Sequence, residues 1–76
     1  MTYHVHELRD EVWTVVSGQG RTIIDGMEQI VRPGDTVTIA AGCVHTILAD
    51  TDMDIIEVQV GEEISIDDKR IFPMPQ

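Results

Sequence analysis

The chain has 76 residues, enough for one small domain whose folding hides only about 60% of the surface that the unfolded chain exposes. Fourteen acidic residues against five basic ones give a net charge of −9. This charge excludes a protein that binds nucleic acid through a basic surface, and one that anionic membrane surfaces attract. Cys43 is the only cysteine, so a disulfide within the chain is excluded, and we expect a metal ion or a partner subunit to stabilise the domain.

Membrane and export signals are not predicted. No stretch approaches the roughly 20 apolar residues that a membrane-spanning helix needs. The first residues lack the basic head and apolar run of a signal peptide. We therefore expect a cytoplasmic protein without membrane or nucleic-acid partners, folded as a single domain over residues 1–76.

Short runs of alternating apolar residues, separated by Gly, Pro and Asp, predict strands and turns. The predicted strands, in chain order, are residues 11–17, 21–24, 28–32, 36–39, 45–49 and 55–60. Between the second and third of these, Asp25-Gly26 is typical of a two-residue hairpin turn. No run has the 3.6-residue period of a long helix. An all-β barrel or two-sheet roll is expected, with strands over residues 1–61 and an irregular, proline-containing tail over residues 62–76.

Two histidines near the start of the chain have a spacing that suits metal ligands. His4 and His6 are two residues apart, so on a strand their side chains point to the same face. Glu11 follows after a short connection, and His45 opens a later predicted strand. Two imidazoles and a carboxylate form the facial set that holds several divalent ions. The pattern predicts one divalent ion and leaves zinc, manganese, iron, nickel and cobalt open, although an isolated His-x-His pair is also typical of a solvated strand end.

A longer spacing pattern extends over most of the chain. One residue separates His4 from His6, four separate His6 from Glu11, and six separate Glu11 from Gly18. Later in the chain, five residues separate Gly34 from residues 40–42 (AAG), and two more separate that segment from His45. This pattern resembles the two motifs of the cupin superfamily. The resemblance implies a small cupin-type barrel, a double-stranded β-helix or jelly roll, whose metal ligands are His4, His6, Glu11 and His45. Because cupins usually have two or three strands before the His pair, we expect a barrel that lacks N-terminal strands, with open edges that favour a homodimer.

Three blocks resemble one branch of that superfamily more closely. Residues 11–18 (EVWTVVSG), 56–61 (IEVQVG) and 65–70 (SIDDKR) are similar to segments of the C-terminal cupin domain of type II mannose-6-phosphate isomerases. The resemblance implies a metal-dependent isomerase acting on a small sugar phosphate, in which the ion polarises substrate oxygens and a base moves a proton between two carbons. It also implies catalytic roles for Glu11 and Arg70, the arginine facing an anionic sugar or a developing oxyanion.

Three further residues are predicted to contact substrate. Trp13 alternates with Glu11, so it faces the metal side either as a platform for a sugar ring or as the largest core side chain. Glu57 and Gln59 share one face of their predicted strand and line the pocket if that face points into the barrel. The alternative for both is a solvent-facing position, and for Arg70 it is a plain surface charge.

The sequence leaves three functions open. The first is the sugar-phosphate isomerase, which the blocks around residues 57–59 and 67–70 favour. The second is another metal-dependent cupin enzyme, such as an oxygenase or a decarboxylase. The third is a non-catalytic ligand-binding module, which the small number of basic residues favours.

Overall fold

A computed structural model describes residues 1–75 of the chain and confirms the all-β fold class. The described residues form eight strands and no helix, so none of them belongs to a helix that could span a membrane. The strands are β1 (His4–Val5), β2 (Asp10–Ser17), β3 (Gly20–Ile24), β4 (Met27–Val31), β5 (Thr36–Ile39), β6 (His45–Ala49), β7 (Asp54–Val60) and β8 (Arg70–Ile71).

The strands form two antiparallel sheets. One sheet has five strands in the order β4-β3-β6-β1-β8, and the other has three in the order β5-β2-β7. Alternation along each strand sends every second side chain to the same face of its sheet. The buried apolar side chains are Tyr3, Val5, Trp13, Val15, Ile23, Val31 and Ile39. This arrangement agrees with a small jelly-roll barrel.

Strand β2 is the centre of the three-stranded sheet and fixes which residues face the interior. Glu11, Trp13 and Val15 are buried, whereas the intervening Val12 and Thr14 are only half-buried. β5 pairs along one edge of β2 and β7 along the other. The alternation that predicted this strand therefore places a carboxylate and an indole side by side in the core.

Two turns have the backbone geometry that their residues favour. Asp25 and Gly26 both have positive φ, at 49° and 81°, as the predicted hairpin turn requires. Gly18 has φ 82°, and a Cβ atom there would lie 2.0 Å from the backbone oxygen of Asp52. Only glycine fits that close approach, so Gly18 ends β2 against the β6–β7 connection.

The expectation of an irregular tail is wrong for two residues, since Arg70–Ile71 forms β8 and pairs antiparallel with β1. The segment before β8 is also held to the N-terminal region. Asp68 accepts hydrogen bonds from the backbone N–H groups of Glu7 and Leu8, at 2.8 and 2.9 Å. These contacts join segments about 60 residues apart, so no local pattern in the tail announced them.

The three-stranded sheet has open edges and an exposed outer face. β5 and β7 each pair with β2 alone among the described strands. On the outward side of β7, Ile56, Val58 and Val60 are 51–57% exposed. Such an edge beside apolar side chains is a surface that another chain can cover.

Candidate metal centre

Four predicted ligands come together in the structure. β1 carries His4, which lies directly opposite His45 at the start of β6, and His6 follows just beyond β1. Glu11 reaches the same point from β2 in the other sheet. All four side chains are buried, and one ligand atom from each lies within 4.8 Å of the others. The cluster therefore bridges the two sheets at the interior of the barrel.

The ligand atoms crowd around one point without satisfying each other. Glu11 Oε1 lies 2.9 Å from His6 Nε2 and 3.4 Å from His45 Nε2. Neither contact has hydrogen-bond geometry, and Glu11 Oε1 and His45 Nε2 are buried without a hydrogen-bond partner among residues 1–75. Unpaired buried polar atoms are costly, and a shared cation would satisfy both at once. The donor set thus fits a single divalent ion.

Backbone carbonyl groups set the orientation of all three imidazoles. His4 Nδ1 contacts Thr2 O at 2.7 Å, and His45 Nδ1 contacts Cys43 O at 2.9 Å. His6 Nδ1 contacts the backbone oxygen of Asp68. Because a carbonyl oxygen only accepts, each Nδ1 must carry the proton, so in the neutral ring Nε2 is the nitrogen with the lone pair. This is the tautomer and the outer support that metal-binding histidines use.

Trp13 supports the fourth ligand. Its Nε1–H donates to Glu11 Oε2 at 3.2 Å, which leaves Oε1 directed at the histidines. The Trp13 ring also packs edge-on against His45, with ring centroids 5.5 Å apart. Since Trp13 is only 1% exposed, its indole has no free face large enough to stack on a sugar. Trp13 is therefore a core side chain that is hydrogen-bonded to Glu11.

Burial favours the neutral state of one imidazole. The pKa of His4 lies below the usual histidine value, chiefly because burial disfavours the charged ring. The hydrogen bond to Thr2 opposes this shift, and the nearby His45 and His6 add to it. A lowered pKa keeps His4 deprotonated at neutral pH, as metal ligation requires.

A pocket of about 360 Å³ lies at the mouth of the cluster. Its walls include two ligands, His4 and His6, together with Arg9, Glu57 and Lys69. A larger surface depression of about 570 Å³ borders Arg9 on its other side, but none of the four ligands lines it. Of these two openings, only the smaller pocket is lined by residues of the cluster.

Glu57 and Gln59 lie on the side of β7 that faces the cluster. In the β2–β7 register Glu57 stands opposite Trp13 and Gln59 opposite Glu11, and directly opposed residues share a face. Both side chains are exposed. Gln59 Nε2 donates to Glu57 Oε1 at 3.4 Å. Of the two, Glu57 lines the 360 Å³ pocket.

Arg70 does not join the cluster. It lies opposite Val5 in the β1–β8 pair, on the face that the ligand His4 does not use. Its side chain is 67% exposed and pairs with Glu7, with 2.7 Å between Nη2 and Oε1. Its guanidinium also sits over the Phe72 ring, 5.7 Å from the centroid. The structure therefore does not bring Arg70 to the four ligands.

Sequence reasoning missed Arg9, whose guanidinium reaches the site. Arg9 Nη2 lies 3.0 Å from His6 Nε2. A usable signal was present, because Arg9 is two residues before Glu11 and an extended chain turns both side chains to the same face. The backbone carbonyl groups that contact the histidines could not be predicted in this way, because every residue has a carbonyl group and the side-chain pattern does not indicate which one is used.

Two packed antiparallel sheets that enclose three imidazoles and one carboxylate define a small β-barrel whose interior could hold one metal ion. The cupin domain family model matches residues 1–65, so the chain belongs to the cupin family. No curated protein matches the chain.

One solved structure is similar over most of the chain. It is the crystal structure of a protein named "putative sugar phosphate isomerase" from Acidithiobacillus ferrooxidans, at 25% sequence identity and a TM-score of 0.65. The match covers 83% of this chain but 41% of that protein, so the present chain spans about two-fifths of its length.

Proposed function

We propose that this cupin is a metal-dependent isomerase that acts on a small sugar phosphate. The observation that carries the proposal is the buried cluster of His4, His6, Glu11 and His45, whose four ligand atoms lie within 4.8 Å of one another. Three nitrogens and one oxygen suit zinc, manganese, iron, nickel or cobalt. Bound there, the ion supplies Lewis-acid polarisation of a substrate carbonyl or hydroxyl oxygen.

Glu57 is suited to move the proton. Its carboxylate lines the same pocket as His4 and His6, and no cation pairs with it among residues 1–75. An aldose–ketose isomerisation needs one group that takes a proton from a carbon and returns it to the neighbouring carbon. A single carboxylate does both in turn. The hydroxyl proton of one carbon moves through solvent to the carbonyl oxygen of the other, so the atoms balance without an oxidant or reductant.

The substrate class rests on likeness. The solved structure from Acidithiobacillus ferrooxidans is named for sugar phosphates, and it shares the fold at 25% identity. The blocks at residues 11–18, 56–61 and 65–70 resemble type II mannose-6-phosphate isomerases. Mannose 6-phosphate is therefore the first substrate to test.

The test combines metal content with turnover. The purified protein is loaded separately with each of the five candidate ions, and interconversion of mannose 6-phosphate and fructose 6-phosphate is followed. We expect Glu57→Gln to keep its ion and lose turnover. The matched control is Glu28→Gln, which removes a surface carboxylate paired with Arg21 on the other sheet. Turnover that is absent with every ion, or unchanged in Glu57→Gln, contradicts the proposal.

A second candidate is a ligand-binding module that uses the same ion without catalysis. The exposure of Glu57 and Gln59 favours it, because the pocket does not exclude water from the reacting groups. A metal-loaded protein that binds mannose 6-phosphate but does not interconvert it would support this alternative. Oxygen uptake by the iron-loaded protein would point instead to an oxygenase.

We also propose that the protein is a cytoplasmic homodimer. The open edge of β7 and the exposed Ile56, Val58 and Val60 support association of two copies through the three-stranded sheet. A single cysteine suits a reducing compartment.

A further inference from the structure

Arg9 is held against the cluster by two hydrogen bonds. Nη1 donates to the backbone oxygen of Ser65 at 3.0 Å, and Nη2 donates to His6 Nε2 at 3.0 Å. Nε is buried and has no hydrogen-bond partner among the described residues. The guanidinium is therefore fixed at the mouth of the site with one buried donor unused.

The contact with His6 is incompatible with metal ligation. His6 Nε2 has a single lone pair, and its Nδ1 proton is committed to the Asp68 carbonyl. When His6 Nε2 acts as a ligand, it can no longer accept from Arg9. Two Arg9 donors, on Nη2 and on Nε, then need another acceptor close to the cluster.

No carboxylate among residues 1–75 supplies that acceptor. The chain has 14 acidic residues, and the side chains of Arg21 and Arg70 each pair with at least one of them. Within residues 1–75, neither Arg9 nor Lys69 has a carboxylate within ion-pair distance. Among the described residues Arg32 is also without an ion pair, but it lies outside this pocket, so Arg9 and Lys69 are distinguished by lining one pocket together.

Lys69 adds a second positive charge to the same pocket. It lines the 360 Å³ cavity together with Arg9, His4 and His6. Its charge is one of the smaller causes that lower the pKa of His4, behind burial and the two neighbouring histidines. The charge of a divalent ion exceeds that of Glu11, so the metal-loaded pocket is electropositive despite Glu57.

We propose that Arg9, not Arg70, is the arginine that binds the anionic oxygens of the ligand, with Lys69 as the second cation of this anion subsite. The matching ligand carries a phosphate or a carboxylate, since two oxygens in a plane suit the guanidinium fork. The pocket volume suits a small molecule. This inference builds on the proposed function, because it assigns the anion of the same substrate.

The inference is tested by anion binding, without turnover. Isothermal titration of the metal-loaded protein with inorganic phosphate, and separately with oxalate, is compared among wild type, Arg9→Gln, Arg9→Lys and Arg70→Gln. Arg70→Gln is the matched control, because it removes the same charge from a residue outside the pocket. Metal content and thermal melting are measured for every variant.

We expect Arg9→Gln to weaken anion binding by about tenfold or more, because it removes charged hydrogen bonds. Arg9→Lys keeps the charge but not the fork, so an intermediate loss is expected. Arg70→Gln is expected to stay within about twofold of wild type, and all variants are expected to keep their ion. Tighter binding of phosphate than of oxalate indicates a phosphorylated ligand, and the reverse order indicates a carboxylate, each with the same dependence on Arg9.

Three results would overturn the inference. The first is that the wild-type protein binds neither anion, and the second is that Arg9→Gln binds anions as tightly as the wild type. The third is that Arg9→Gln and Arg70→Gln lose anion affinity equally. If Arg9→Gln folds poorly, Arg9→Lys decides the matter by itself. The anion titration is independent of catalysis, so an inactive protein with Arg9-dependent phosphate binding would refute the isomerase proposal and keep the subsite.

Discussion

Replacing Trp13 by phenylalanine tests whether the indole orients a metal ligand or only fills the core. The side chain is 1% exposed, and Nε1–H donates to Glu11 Oε2 at 3.2 Å. Trp13→Phe removes that donor and leaves a buried carboxylate oxygen without its partner, which costs about 1–3 kcal/mol of unfolding free energy. The smaller ring adds a cavity cost. Both interpretations therefore predict a less stable metal-free protein.

The two interpretations differ in metal affinity. Losing the outer partner of a ligand usually weakens metal binding about 10–100-fold. At a free metal concentration of about 100 times the wild-type Kd, binding stabilises the wild type by about 2.7 kcal/mol, and tenfold weaker binding leaves about 1.4 kcal/mol. The metal-induced rise in Tm is therefore expected to be roughly halved in Trp13→Phe.

The assay is circular-dichroism melting with and without zinc, together with competition against a chromogenic chelator. Tyr3→Phe is the matched control, since it removes one hydrogen bond of a buried aromatic residue, from Gly26 N–H to the Tyr3 hydroxyl at 3.0 Å. It is expected to lower Tm without changing zinc affinity. Wild-type zinc affinity in Trp13→Phe would refute the orienting role and leave Trp13 as a core side chain.

Three other predictions concern protonation, the tail and the outer sheet face. Burial lowers the pKa of His4, so near pH 6.5 the unfolded state binds more protons than the folded state. The metal-free protein should therefore lose stability as the pH falls below about 6.5. Denaturant titrations measure this, and a stability that does not change with pH contradicts it. Asp68→Ala loosens the segment whose carbonyl anchors His6, and in chelator competition it should weaken zinc binding more than Asp67→Ala does. Val58→Asp places a charge on the exposed face of β7 and should turn a dimer into a monomer in light scattering, whereas a monomeric wild type contradicts the homodimer.

Local patterns predicted most strands because each has its own signal. β5 (Thr36–Ile39) and β6 (His45–Ala49) have the predicted bounds, and β2 (Asp10–Ser17) differs by one residue. The third predicted strand, residues 28–32, lies one residue earlier as β4 (Met27–Val31). Alternation and turn residues mark these strands without help from the rest of the fold. The same alternation placed Glu11 on the interior face.

Features that depend on distant pairing were not predictable in this way. β8 exists because it pairs with β1, and its register sends Arg70 toward Glu7 instead of the cluster. Sequence similarity indicates where a residue lies along the chain, but the pairing register of an edge strand decides which face of the sheet the side chain is on. The contact of Arg9 with His6 was also missed, because the spacing from Glu11 indicates a shared face but not which side chain the guanidinium contacts.

Counting the metal and determining its ligands tests the central claim most directly. We expect purified protein to hold one divalent ion per chain, with an X-ray absorption spectrum of three imidazole nitrogens and one carboxylate oxygen. His45→Ala and Glu11→Ala are expected to lose most of the ion while keeping the strand content seen by circular dichroism. An ion retained by both variants with an unchanged spectrum, or no ion bound by the wild type, would contradict a centre built from these four side chains.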